Sequence, residues 1–318
     1  MFDLFTFGEA MALFLSQDTD DVVSAKVFAR STAGAEANVA VALTRLGLKV
    51  YFYTHLGEDQ LGTALINDFN HEGVDVSGVK RVAEFTGSMA RNPGTSRPVE
   101  ATYLRKGSAA STIASSDMNV DVISQSRWVH TTGITCAISQ SAAQAVKFAL
   151  ETAREKKIPC SLDLNIRRKL WSEEEARGVL EPLAHDVDLL IGGEDEYQLI
   201  FGQLDPRKSI EIAHHRGCAV VVMTKGDQPI RYSINGEYGE IVPPKVHAID
   251  PVGSGDAFTG GVIAGLLSGL RPVEAIIQGS ISGARVASFF GDWAGLPTGA
   301  HGRTDPAIIA EITGGAKR

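Results

Sequence analysis

Short apolar runs rich in β-branched and aromatic residues alternate along the chain with stretches whose apolar positions recur every three to four residues. Leu4–Phe7, Val50–Tyr53, Trp128–Thr131, Cys160–Leu164, Leu189–Ile191 and Ala219–Thr224 read as buried strands. Between them, Ala35–Leu46, Gln60–His71, Gln140–Lys156, Glu173–Ala184 and Lys208–His215 read as amphipathic helices. The punctuation agrees with this division. Gly47 and Gly73 stand where C-terminal caps belong, and Ser172 followed by Glu175 forms a capping box with Ser172 as N-cap. Beyond residue 254 the pattern is helical, through Gly255–Leu267, Val273–Phe289 and Ala307–Ile312. Such β-α alternation predicts a mainly parallel sheet with helices on both faces.

Two regions break the rhythm. Residues 10–33 and 83–107 carry strand formers and turns without helical periodicity, which predicts a smaller antiparallel layer laid over the main sheet. With no internal repeat, low-complexity tract or long linker, residues 1–318 are expected to form one domain. Open α/β sheets bind ligands beyond the carboxyl ends of their strands, so the groups after Asp163, Ile191 and Thr224 should gather around one crevice.

Composition narrows the partners. The 318 residues are 44% hydrophobic and 21% charged, an ordinary globular balance with enough chain for a large core. A net charge of −8 argues against nucleic acid as a partner, because phosphate binding needs a basic face. Any anionic ligand must be held by local positive groups. Cys136, Cys160 and Cys218 are an odd number at wide spacing, neither a C-x-x-C pair nor a disulfide framework. The apolar body near 261–270 is too short to span a bilayer, so no membrane association is expected. The first residues carry acids and no basic flank, unlike a signal peptide, and a cytoplasmic location is expected.

The chemistry concentrates in Asp-Pro-Val-Gly-Ser-Gly-Asp-Ala-Phe, residues 250–258, at the mouth of a helix. An acid there often does no more than cap the helix. Yet Gly253, Ser254 and Gly255 also allow close backbone approach, and first-turn amides lack internal partners, which makes a cradle for a phosphoryl group. Asp256 places a carboxylate beside that anion trap. The pairing makes sense where Asp256 takes a proton from a hydroxyl that then attacks phosphorus. Neither a P-loop nor a G-x-G-x-x-G fingerprint occurs.

Near the start, Ala33-Gly34-Ala35-Glu36-Ala37-Asn38-Val39-Ala40 opens a helix with small residues. These permit tight helix–sheet packing and equally a ligand's approach at Gly34, with Asn38 one turn on. Together with residues 250–258, this segment resembles the two signatures of the ribokinase-like (PfkB) carbohydrate kinases, and the alternation between them fits that family across the whole chain. The resemblance implies a ribokinase-like three-layer α/β/α sandwich with a mainly parallel central sheet and a small β-sheet lid from residues 10–33 and 83–107. It implies ATP-dependent phosphorylation of a sugar's primary hydroxyl, with Asp256 as base and residues 253–255 as anion hole. The exposed lid invites pairing into a homo-oligomer.

Three stretches resemble the 2-keto-3-deoxygluconate kinases more closely: Thr102-Tyr103-Leu104-Arg105-Lys106-Gly107-Ser108-Ala109-Ala110, Leu162–Trp171 with Asn165 and Arg167, and Gly291–Pro297 with Asp292. In a strand Tyr103 and Arg105 share a face, presenting an aromatic ring and a cation together. Arginine suits two-point recognition of a carboxylate. A solvated lid face for Arg105 and a surface salt bridge for Arg167 are the plain alternatives. The resemblance implies a sugar-acid site formed by Gly34, Asn38, Tyr103, Arg105, Ile134, Arg167 and Asp292, giving a 6-phosphate. Fructokinases and inositol-pathway sugar kinases share Asn-x-Arg and Gly-Ser-Gly-Asp, so a neutral sugar is the alternative substrate. A non-catalytic sugar-acid binder is the alternative of another class, against which the retained Asp256 argues.

For the nucleotide, the resemblance points to Asn165, Gly193, Thr224, Lys225 and Gly226, with Gly253 and Gly255 at the phosphates. The chain departs from the family at Pro229, where a glycine is common, and at Gly193, where the metal-organising Asn-x-x-Glu has its Asn. Glu196 keeps the acid of that motif and is expected to organise the water shell of Mg2+.

Overall fold

The computed structural model describes residues 1–298; the helix expected at 307–312 lies outside them. Eight strands form the main sheet, in the order Glu237–Ile241, Ile230–Ile234, Val220–Thr224, Leu189–Gly193, Cys160–Asp163, Val129–Thr132, Leu4–Phe7, Val50–Tyr53. The last six run parallel, and the first two form an antiparallel edge. All six strands read from the sequence are present, with ends within two residues.

Side-chain alternation along these strands builds the layers. Leu189, Ile191, Val220 and Val222 enter one core, with helices Ala35–Arg45, Gln60–Glu72, Ser254–Leu267 and Pro272–Ala287. Leu190, Val221 and Met223 enter the other, with Gln140–Glu155, Glu173–Leu183, Glu194–Phe201 and Pro206–His215. Because both faces are covered, the strands are apolar throughout rather than alternating. The result is the expected three-layer sandwich.

The second sheet has four strands, ordered Phe28–Ala33, Met11–Ser16, Ser88–Arg91, Ala101–Leu104. They come from the two regions that lacked helical periodicity. The sheet is mixed, not antiparallel as expected: Met11–Ser16 runs parallel to Ser88–Arg91. Between those strands the chain passes through two helices and a strand of the main sheet, a crossover long enough for parallel return. The pattern also passed over short elements, including Gly133–Ile138, Glu194–Phe201 and the paired strands His55–Gly57 and Lys80–Val82. Three to eight residues are too few to show a period. The edge hairpin turns at Asn235-Gly236, a pairing typical of two-residue hairpins that the sequence reading had not used.

Helix Ser254–Leu267 carries the Gly-Ser-Gly-Asp segment at one end and is anchored further along by close packing. A β-carbon at Gly261 would lie 2.8 Å from the Gly279 Cα on the neighbouring helix. Backbone cannot withdraw as a flexible side chain can, so Gly261→Val is expected to destabilise the fold by about 1–3 kcal/mol or more. Gly255, six residues earlier, has nothing within 4 Å of such an added carbon. Urea denaturation should show Gly255→Ala as stable as the parent, or up to about 1 kcal/mol better from helix propensity. Equal stability of the Gly261 variant would contradict the close-packing account.

Candidate active site

The helix begins at a left-handed glycine turn. Gly253 caps it with φ 82°, and an added β-carbon would sit 3.1 Å from the Asp292 Cα, so both conformation and space require glycine. The Asp250 carboxylate steadies this turn, accepting hydrogen bonds from the amides of Val252 (3.2 Å) and Gly291 (2.9 Å). Ser254 turns its hydroxyl onto the Pro251 carbonyl at 2.7 Å, and its amide leans on the same oxygen at 3.3 Å. The amides of Gly255 and Asp256, in the first turn, have no intrahelical carbonyl to reach. Gly255 itself is exposed. The anion cradle read from the sequence therefore rests mainly on the second and third amides of the turn.

Asp256 is 9% exposed. Its Oδ2 accepts a hydrogen bond from Asn38 Nδ2 at 2.7 Å, and its Oδ1 accepts one from Asn165 Nδ2 at 3.3 Å. Burial raises its pKa to about 7, against the opposing pull of the Asn38 hydrogen bond and the Arg167 charge. A carboxylate poised there is half ionised near neutrality, which suits proton abstraction. Asn38 is fixed in turn by Trp293, whose indole Nε1 donates to Asn38 Oδ1 at 2.7 Å. Because indole N–H only donates, Asn38 must present its amide nitrogen to the acids. That nitrogen also donates to Asp292 Oδ2 at 3.1 Å. Burial raises the Asp292 pKa too, with Arg91 opposing.

All seven proposed substrate residues line one cleft together with Gly253 and Asp256. Gly34 caps helix Ala35–Arg45, and Ile134 enters from the short helix Gly133–Ile138. The Arg105 guanidinium lies 5.5 Å from the Tyr103 ring centroid, although the strand ends at Leu104. Arg105 is also ion-paired with Glu9, a neighbour the sequence reading did not include. Glu9 lies two residues beyond the strand Leu4–Phe7, at the carboxyl end where ligands gather, and that position was its available signal. Arg167 is exposed and makes no ion pair among the described residues.

Other polar groups of the site gave no pattern in the sequence. Glu36 is buried beneath the cleft, accepting hydrogen bonds from Thr132 Oγ1 (2.7 Å) and Thr135 Oγ1 (2.6 Å); burial raises its pKa to about 7. It joins the Gly34 segment to the Ile134 loop. Asp163 is buried under Thr259, which donates at 2.9 Å, and desolvation holds its pKa well above the carboxylate range.

Of the nucleotide candidates, Gly253 lines the same cleft and Asn165 bonds Asp256, while Gly193, Thr224, Lys225 and Gly226 occupy a different rim. Gly193 and Thr224 are paired in register at the carboxyl ends of adjacent strands, and Gly226 has φ 57°. Thr224 Oγ1 reaches the Gly192 carbonyl at 3.4 Å. Lys225 is 58% exposed and pairs with Glu194 at 2.8 Å, beside Arg231 on the same acid. None of these lines the Asp256 cleft. Glu196 joins the two rims, its oxygens accepting from the amides of Ile166 (2.6 Å) and Gly193 (2.7 Å). Asn165 Oδ1 is buried without a partner, an oxygen left over for a ligand or its water. Among the described residues no three His, Cys, Asp or Glu side chains converge as a metal cage, and no helix is long and apolar enough to cross a membrane. The donor set fits an outer-sphere metal held through water, since Mg2+ keeps much of its hydration.

Comparison with known proteins agrees with this geometry. Residues 1–298 match the model of the pfkB family carbohydrate kinases. The chain is 32% identical over 300 residues to a 2-dehydro-3-deoxygluconokinase of Bacillus subtilis, covering 93% of each chain. It is 33% identical to a protein of the same name from Thermoproteus tenax, over 85% of this chain and 84% of that one. A crystal structure of a PfkB protein from Polaromonas sp. JS666 superposes with a TM-score of 0.86 at 33% identity, covering 94% of this chain and 98% of the other. With the sandwich, the overlying sheet and the glycine turn before Asp256 all in place, the chain belongs to the pfkB family of carbohydrate kinases.

Proposed function

We propose that this sugar kinase transfers the γ-phosphoryl group of ATP to the primary hydroxyl of a sugar acid, 2-keto-3-deoxygluconate, giving the 6-phosphate. Asp256 takes the hydroxyl proton as the oxygen attacks phosphorus; the new O–P bond forms as the bond to ADP breaks. The Gly253–Gly255 turn opens the helix so that its free first-turn amides, those of Gly255 and Asp256, face the charge developing on the phosphoryl oxygens. Asn38 and Asn165 hold the carboxylate in line. Thr224, Lys225 and Gly226 take the nucleotide, with Gly193 and Asn165 at its edge. Glu196 and Asn165 would order the water shell of a magnesium ion bound with the nucleotide, which would supply neutralisation of phosphate charge.

The observation that carries this reading is one cleft containing both a buried carboxylate at a helix start and two arginines. Arg105 and Arg167 give an acid substrate a positive wall within a protein of net charge −8. The names of two curated relatives, both 2-dehydro-3-deoxygluconokinases, support the same substrate. Glu9 already neutralises Arg105 in part, so Arg167 is assigned the larger share of the free charge.

ADP release measured against 2-keto-3-deoxygluconate, gluconate and fructose tests the substrate. The sugar acid is expected to be turned over best; faster turnover of fructose makes this a neutral-sugar kinase, and no turnover of any would favour a binding protein. Arg105→Ala is expected to lower kcat/KM for the sugar acid by roughly 10–100-fold, and far less for fructose. Arg105→Lys should recover only part of the loss, because ammonium lacks the planar fork. Comparing the two substrates within each variant cancels any general loss of folded protein. A uniform loss on both would remove Arg105 from carboxylate recognition.

The pH profile gives a separate check. Since the ionised form of Asp256 accepts the proton, activity is expected to rise about tenfold per pH unit below about 7 and to level off above it. An acid limb near pH 4 would mean that Asp256 is solvated during turnover or is not the base.

A further inference from the structure

Arg91 closes the strand Ser88–Arg91 of the overlying sheet and is 1% exposed. Its Nη1 donates to Asp250 Oδ1 at 3.0 Å and to the Asn92 carbonyl at 3.1 Å; its Nη2 donates to Asp250 Oδ2 at 2.8 Å. Nη2 also donates to Asp292 Oδ1 at 3.0 Å. Both acids belong to the site. Asp250 steadies the turn that leads to Gly253, and Asp292 shares the Asn38 amide with Asp256. One guanidinium therefore joins the overlying sheet, the anion-binding turn and, through Asp292 and Asn38, the carboxylate of Asp256.

Stability alone accounts poorly for this arrangement. Buried ion pairs replaced by apolar residues of similar volume often leave a protein equally or more stable, because the charges must be taken out of water. What the fork supplies in addition is direction: two parallel hydrogen bonds fix the Asp250 plane, and the third fixes Asp292. We propose that Arg91 is a positioning residue for phosphoryl transfer, clamping the overlying sheet to the glycine turn and orienting Asp256 through the Asp292–Asn38 link. The inference rests on the reading of Asp256 and the turn given above. Arg91 does not itself line the cleft, which it reaches only through Asp292, and it bonds none of the nucleotide-rim residues, so its loss acts on the chemical step more than on nucleotide affinity.

The test uses the full chain with Arg91→Ala and Arg91→Lys, comparing kcat, nucleotide affinity by equilibrium binding, and thermal melting. Arg91→Ala is expected to lose roughly 100-fold in kcat while nucleotide affinity stays within about threefold. Millimolar guanidinium should restore at least about tenfold of that loss and leave the wild type unchanged, which repair of general unfolding would not do. Arg91→Lys keeps the charge without the fork and should melt near the wild type with kcat about tenfold lower. If Arg91→Ala does not fold, the lysine variant decides alone. Wild-type kcat in Arg91→Lys overturns the proposal. So does a folded Arg91→Ala that guanidinium does not rescue and whose nucleotide affinity falls in step with kcat. A wild-type protein without turnover would sink the underlying reading, whereas an active wild type with equally active variants sinks only the role of Arg91.

Discussion

A buried carboxylate must be either neutralised or tightly hydrogen-bonded, and Asp256 sets that constraint for everything around it. An unpaired ion in such a place costs several kcal/mol, while each hydrogen bond to a charged group returns about 1.5–3 kcal/mol. Asn38 and Asn165 supply two such bonds, one from each side of the carboxyl group. They come from different layers of the fold: Asn38 from the first helix, Asn165 from the end of the strand Cys160–Asp163. Both meet the helix Ser254–Leu267 at its first turn. The remaining burial is left uncompensated, and that residue of unfavourable solvation is what raises the group into the range of a base.

The same requirement propagates outward. Asn38 can serve Asp256 only with its amide nitrogen facing inward, and Trp293 enforces that orientation. Asp292 shares the nitrogen and so needs a cation, which Arg91 brings from the overlying sheet. Glu9 and Arg105 form a second buried pair on the opposite side of the cleft. Glu9, Asp250, Asp256 and Asp292, buried with Arg91 and Arg105 in and around one cleft, are an expensive use of interior space, coherent where the ligand is polar and itself charged. Functional sites are where proteins tolerate such cost.

Much of this was legible in the chain, for physical reasons. The main strands stand out because both of their faces are buried, and the long helices because one stripe is. The overlying sheet announced itself by lacking a helical period, but its pairing direction did not, since register and direction depend on contacts distant in sequence. Asp256 and the glycine turn were readable because the chemistry needs them adjacent. Arg91 and Glu36 were not: each is a single charge within an ordinary element, and its meaning lies in a partner 60 or more residues away, Asp250 or Thr132; Glu9 had only its place after a strand, and its partner Arg105 is as distant. Lys225 shows the opposite limit. Its position after a strand is as expected, yet in the folded chain it pairs with Glu194 at the surface.

The central claim is that Asp256 accepts the proton of the attacking hydroxyl, and single-turnover transfer by Asp256→Asn tests it most directly. Asparagine keeps the shape and a hydrogen-bonding oxygen but cannot take a proton. The account predicts a transfer rate lower by roughly 10²–10⁴, with sugar-acid and nucleotide affinities changed far less. A folded Asp256→Asn protein that transfers phosphate within a few-fold of the wild-type rate would contradict it.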